Sequence, residues 1–209
     1  MSSLARIRKL WVELDNPDVR TDGIIGEGEV GQVYAVRGQE AVLKVSKHRW
    51  ADLGREGRTL MDLTPVSGVP NLIRNFIHES FTIALMIERV RGKDLDEVLM
   101  NCEDEQVLVV LMNLRALINR WHGQGMKLPE DWVKPGNVLV TDNMQPHTVD
   151  VGMARPGGRM DFGMDNRIFR SAANNVLLRR QRKKTIGLRA RRDVEGFIYE
   201  DSVRHPGEA

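Results

Sequence analysis

The chain carries one cysteine, Cys102, among 209 residues. A single thiol excludes an internal disulfide and points to a reducing compartment. Long hydrophobic runs are missing as well. The longest, Val107–Met112, is far too short to span a bilayer, so no membrane partner is expected. The first residues, Met1-Ser2-Ser3-Leu4-Ala5-Arg6, lack the apolar core of a signal peptide. The expected location is therefore cytoplasmic, with leaderless delivery into a host cell left open. Nor is there an excess of one charge. The 31 Lys and Arg oppose 29 Asp and Glu, for a net +2, so the molecule as a whole is no polyanion binder. What is present is a 41 % apolar chain of mixed charge, which argues for a folded protein. Its length suits one large or two small domains. The basic residues crowd toward the C-terminal end.

Residues Leu4, Ile7, Leu10, Trp11 and Leu14 fall at helical spacing, and Asn16-Pro17 stops the helix they predict. Glycines at 26, 28 and 31 then precede Gln32-Val33-Tyr34-Ala35-Val36, which is β-branched and alternating and reads as a strand. A lone glycine pattern of this kind also opens helices in dinucleotide-binding folds, but here a strand follows. Glycine lets backbone N–H groups approach phosphate oxygens closely. After a turn at Arg37–Glu40 comes a second strand, Ala41-Val42-Leu43-Lys44-Val45. Lys44 is a charge inside an apolar strand and needs a partner. The next helix, around Arg55–Met61 and expected to be short because Gly54 and Gly57 lie in it, offers Glu56. Further strands are predicted over Val69–His78 and Phe81–Ile87. Asp104–Gln124 is the longest periodic segment, with Val107, Leu108, Leu111, Leu114, Leu117, Ile118 and Trp121 as its apolar stripe. His122, at its end, reads as structural.

Two short apolar strands, Val138-Leu139-Val140 and Thr148–Gly152, flank a turn at Asp142–Pro146. A hairpin brings Asn137 and Asp150 to one end, next to each other and to Asp131. Two oxygen ligands beside a base are what Mg²⁺-dependent phosphoryl transfer needs.

Lys134-Pro135-Gly136-Asn137, followed thirteen residues later by Asp150-Val151-Gly152, resembles the catalytic loop and metal motif of the protein kinase superfamily. The resemblance covers about residues 22–155, with the glycine loop, strand lysine, helix glutamate, hinge, catalytic loop and metal motif in order. It implies an α+β, two-lobed protein-kinase-like fold, with a β-rich N-lobe over residues 1–89 and a truncated helical C-lobe over residues 90–209. It implies ATP and Mg²⁺ as cofactors. Gly26, Gly28 and Gly31 then cover the phosphates and Val33 the adenine. Lys44, paired with Glu56, holds the α- and β-phosphates. Ile87 is the gatekeeper, and the backbones of Glu88 and Val90 meet the adenine edge. Asn137 and Asp150 are the metal ligands, and Lys134 touches the transferred phosphate.

One part departs from the family. No His-Arg-Asp triplet precedes Lys134; Leu128-Pro129-Glu130-Asp131 stands in its place. Counting back from Asn137 puts the catalytic aspartate on Trp132, and counting forward from Gly125 puts it on Glu130. Asp131, between the two registers, is the first choice for the base and Glu130 the second. The literal Asp161-Phe162-Gly163 follows no apolar strand and reads as a decoy in the activation segment. Only 57 residues follow Gly152, with no Ala-Pro-Glu motif. Asp165–Arg180 is predicted helical. Beyond it, the basic Arg179–Arg192 stretch is either a solvated face or a hold on nucleic acid or an acidic partner. The overlapping stretch Leu178–Gly187 is similar to the arginine-rich tail of the small kinase of the KEOPS tRNA-modifying complex. Phe197-Ile198-Tyr199 is expected to pack back onto the body.

The expected activity is that of a minimal serine/threonine protein kinase with a protein substrate. The alternatives are a KEOPS- or RIO-like ATPase, or a pseudokinase scaffold that holds a partner or RNA through the basic tail. Aminoglycoside-type phosphotransfer is a third, which the basic tail disfavours.

Overall fold

The computed structural model describes residues 21–47, 53–64, 66–78, 81–132, 134 and 136–183. The expected leading helix, Lys184–Arg192 of the basic stretch, and Phe197–Tyr199 lie outside them. The described residues form a mixed α+β protein with a five-stranded antiparallel sheet and four helices. They divide into two compact units, one up to Val90 together with Val151–Met153, the other comprising Arg91–Asp150 and the residues from Ala154 on.

The first unit holds β1 (Thr21–Glu27), β2 (Gly31–Val36), β3 (Ala41–Ser46), helix α1 (Gly54–Leu63), β4 (Leu72–His78) and β5 (Phe81–Glu88). The sheet order is β1-β2-β3-β5-β4. Strand β3 is central, which is why Ala41–Val45 reads as a continuous apolar run broken only by Lys44. One face gathers Tyr34, Val36, Leu43, Val45, Phe76 and Met86 into a core. Helix α1 packs against β4 and β5. Gly57, which weakens helix propensity, sits where this contact is closest. A Cβ there would lie 2.9 Å from Asn75 Oδ1 and 3.2 Å from Leu85 Cδ2. The helix runs over ten residues because burial of Leu60 and Leu63 outweighs that weakness.

The second unit begins with β6 (Lys93–Asp94), α2 (Leu95–Asn101) and α3 (Asp104–Gly123). A capping box of Glu103 and Gln106 starts α3, and it ends before Gly125, whose φ is +68°. Val110 belongs to its buried stripe, whereas Leu108 of the expected stripe is only half-buried. Two small sheets follow. Strand β7 (Met126–Lys127) pairs with β10 (Arg155–Pro156), and β6, β8 (Val138–Val140) and β9 (Pro146–Thr148) form a three-stranded sheet with β8 central. Strand β9 thus differs from the expected Thr148–Gly152. The turn closes within Thr141–Gln145, where Thr141 N–H donates to Gln145 O and Met144 takes φ +60°. Pairing therefore starts at Pro146, a first-residue position that proline tolerates.

Helix α4 (Arg159–Lys183) starts six residues earlier than the expected 165. Asp161 accepts the Gly158 N–H at 3.2 Å, and Phe162 N–H donates to Gly158 O, so the first turn closes there. Asp161-Phe162-Gly163 is therefore helical, not part of a loop. Among the described residues no helix is long and apolar enough to cross a membrane.

Candidate active site

The glycine-rich turn joins β1 to β2, with Gly26 opposite Val33 and Glu27 opposite Gln32. Gly28 N–H donates to Gly31 O at 2.9 Å, and Lys47 N–H to Val30 O. Packing requires glycine only at 31, where a Cβ would stand 2.9 Å from the Val45 carbonyl oxygen. At Gly26 and Gly28 a Cβ would meet nothing closer than 3.6 Å. An ion pair between Lys47 and Glu27 ties the turn to the end of β3. The Lys47 hydrogen bond, then its charge, hold the Glu27 carboxyl below the usual range. Half-buried Val33 pairs with Lys44 across the β2–β3 ladder.

Lys44 is only 9 % exposed and Glu56 4 %. Their side chains meet at 2.7 Å, Nζ donating to Oε1. The lysine projects from the central strand toward α1, and Glu56 in the first turn of α1 reaches back to it. Further along, Ile87 is buried at the end of β5. The Glu88 carboxylate accepts from Asn71 N and Nδ2, while Glu88 N–H donates to Asn71 O. Arg89 N–H donates to Glu40 O, and Val90 is half-buried.

In the second unit the stretch between β7 and β8 folds on itself. Asp131 O accepts from Lys134 N–H at 2.8 Å and from Asn137 Nδ2 at 2.9 Å. Lys134 Nζ lies 3.3 Å from Asp131 Oδ2. The loop thus holds Asp131, Lys134 and Asn137 together. The hairpin brings Asp150 to the same end, because Val138 pairs with Thr148 and Val149 N–H donates to Asn137 O at 2.9 Å.

The three registers considered for the base separate clearly. Trp132 is completely buried, so its position faces the core. Glu130 turns away, 81 % exposed, and meets Lys127 at 3.2 Å. Asp131, whose side chain is 36 % exposed, alone among the three shares the turn with Lys134 and Asn137.

Sequence reasoning passed over two supports of this turn. The carboxylate of Asp165 on α4, fully buried, accepts Leu128 N–H at 3.2 Å and lies 3.0 Å from His122 Nε2. Phe162 stacks on the His122 ring at 4.3 Å. The spacing of Phe162, Asp165 and Phe169 along one helical face was the available signal. Lys127 is the second: its side chain is 6 % exposed, and it lies 3.2 Å from Glu130 and 3.7 Å from Asp161. The Asp161 carboxyl is held below its usual value first by the Gly158 amide, with Arg155 and Lys127 adding to this against a smaller burial penalty than the amide offsets.

Within the basic stretch, Arg179 is exposed but Arg180 is neither on a solvated face nor open to a partner. It is 4 % exposed. Its guanidinium donates to Leu99 O at 2.9 Å, to Cys102 O at 2.7 Å and to Asp104. It closes the C-terminal end of α2 and cannot serve a partner.

Among the described residues no three of His, Cys, Asp and Glu converge as a metal cage. Asp150 and Asn137 provide instead one carboxylate and one amide. That set fits Mg²⁺, which keeps several waters and shares its shell with phosphate oxygens. The chain matches no protein-family model and no curated protein sequence.

Proposed function

We propose that this chain is a minimal two-lobed, protein-kinase-like phosphotransferase that uses Mg·ATP, with a serine or threonine hydroxyl on a protein as the preferred acceptor. The observation that carries this reading is the buried Lys44–Glu56 pair at 2.7 Å. It stands beside a glycine turn in which Gly26 and Gly28 are not demanded by packing. A buried ion pair stabilises a fold little or not at all, so its presence next to that turn is accounted for by a phosphate-holding role.

The roles follow from the side chains. Gly26, Gly28 and Gly31 let amides approach phosphate oxygens, and Val33 covers the base. Glu56 keeps the Lys44 ammonium extended toward the α- and β-phosphates. Glu88 and Val90 meet the adenine edge through their backbones. Asn137 and Asp150 offer oxygens to Mg²⁺, which when bound offsets charge on the phosphates. Asp131, held by its carbonyl to Asn137, accepts the proton of the acceptor hydroxyl as that oxygen bonds to phosphorus. ADP departs with the bridging oxygen, and Lys134 offsets the charge on the transferred group. Positioning and electrostatics do this work, with no covalent enzyme intermediate.

The test is turnover of ATP labelled at the γ-phosphate, with Mg²⁺, for wild type and Asp150→Ala. It is run alone, with a generic acceptor protein, and with RNA. Label on protein that vanishes in the variant supports the proposal. Loss of activity with Asp131→Ala but not Glu130→Ala assigns the base. Phosphate release without labelled protein supports a KEOPS- or RIO-like ATPase. Mg·ATP that raises the melting temperature without turnover supports a pseudokinase scaffold.

A further inference from the structure

Asp94 ends β6 immediately before α2, and one carboxylate oxygen does what an N-cap requires: Oδ1 accepts Asp96 N–H at 2.9 Å. A serine would suffice for that. The second oxygen is committed elsewhere. Oδ2 accepts the N–H of Gly136, 42 residues further along the chain. Gly136 lies between Lys134 and Asn137 and takes φ +84°, a conformation other residues rarely adopt. Its amide is thus presented to Asp94 by a backbone form that the turn itself demands.

The strand carrying Asp94 is fixed at two further points. Asp94 pairs with Leu139 and Lys93 with Val140 across β6–β8. At Gly92 a Cβ would come within 2.6 Å of the Val140 carbonyl oxygen, so only glycine lets the two backbones approach this closely. The Asp94 carboxylate therefore stands on a rigid ledge beside the turn. Within the turn the bonds are local: Asn137 N–H to Lys134 O at 3.2 Å, Lys134 N–H and Asn137 Nδ2 to Asp131 O. They hold Asp131, Lys134 and Asn137 to one another. The Asp94–Gly136 bond ties the middle of the turn to β6, alongside the Val149 N–H bond to Asn137 O and the buried Trp132.

We infer that Asp94 is a positioning residue for the proposed phosphotransfer: through the Gly136 amide it sets the turn that aims Asn137, Asp131 and Lys134. The inference rests on the proposed function and adds a residue that acts on that site through another group. It touches neither nucleotide nor metal in this role.

Asp94→Ser separates the two tasks, because serine caps a helix about as well as aspartate but is too short to hold a second amide. Asp94→Asn is the second variant. It can cap through Oδ1 but turns an N–H₂ donor toward Gly136 N–H. Three quantities are read in wild type and both variants: melting temperature, hydrogen exchange at the Gly136 amide, and Mg²⁺-dependent turnover resolved into kcat and KM for ATP. Expected are a melting temperature within about 2 °C of wild type, faster exchange at Gly136, and kcat reduced about 10–100-fold with a raised Mg²⁺ requirement. KM for ATP stays within about twofold, since Lys44 and the glycine turn are untouched. Unchanged exchange at Gly136, or unchanged kcat and Mg²⁺ requirement while wild type is active, overturns the positioning role alone. A wild type that neither binds nor turns over Mg·ATP overturns the phosphotransfer reading, and Asp94's place in it falls too.

Discussion

Removing one member of the Lys44–Glu56 pair is the sharpest perturbation open to this protein. At 2.7 Å, and with an effective dielectric of ~20, the attraction is roughly 6 kcal/mol. Taking each ion out of water costs several kcal/mol, so the intact pair nets close to zero. A single substitution keeps one desolvation cost and loses the attraction. Glu56→Leu leaves the Lys44 ammonium, 9 % exposed, without its carboxylate, at a cost of about 3–5 kcal/mol. Lys44→Met leaves the more deeply buried Glu56 in the same position. For a chain of this length each kcal/mol moves the melting temperature by about 2–4 °C, so either variant should melt roughly 6–20 °C lower. The double variant replaces both charges with apolar groups and should recover to within about 2 kcal/mol of wild type. Urea denaturation of all four proteins closes the cycle and yields the coupling directly. If the proposed function holds, Mg·ATP should raise the melting temperature of wild type but not of the recovered double variant, which separates the stability of the pair from its proposed function. Single variants costing under about 1 kcal/mol, or a double variant as weak as the two singles summed, would refute the reasoning.

Arg180→Met should cost about 3 kcal/mol in urea unfolding, since it strands the carbonyls of Leu99 and Cys102 at the end of α2 and leaves Asp104 without its cation. A cost like that of an exposed arginine, under about 0.5 kcal/mol, would return this residue to the basic surface. Asp161 has a lowered carboxyl pKa in the folded state, owing first to the Gly158 amide. Its contribution is therefore complete above the ordinary aspartate range near pH 4 and fades as pH falls through the lower folded value. Asp161→Asn should flatten the acid limb of the stability–pH curve there and leave its neutral-pH slope alone. An unchanged acid limb would count against the first-turn cap.

Much of the fold is legible in the chain because its elements are local. Strands β2, β3 and β5 announce themselves by β-branched runs between glycine and charged turns. Helix α3 does so by the spacing of Val107, Leu111, Leu114, Ile118 and Trp121. The glycine turn, Lys44, Asn137 and Asp150 stand out because each breaks a local pattern. The errors sit where a local signal is weak or ambiguous. The tightness of the Thr141–Gln145 turn moves β9 forward to Pro146. A cap from Asp161 to Gly158 extends α4 back over a Phe-Gly pair that reads as a loop.

The sequence by itself determined the order of the longer elements, β2, β3, α1, β4, β5, α3 and β8, and the residues rich in chemistry, since periods of two and 3.6 and the special needs of glycine and proline act over a few residues. The two-residue strands β6, β7 and β10 and the short helix α2 carry too little pattern to be read this way. Only the tertiary structure decided how the ambiguous ones are spent. Among Glu130, Asp131 and Trp132, three neighbours, it buries the tryptophan, turns the glutamate to Lys127 and joins the aspartate to Lys134 and Asn137. It takes Arg180 out of a basic run to cap α2, and it turns the second oxygen of Asp94 to Gly136. Each of these outcomes depends on a partner brought close by packing or by the local closure of a loop. A buried charge or amide must be matched by whatever the fold brings beside it, and no local period encodes which group that will be.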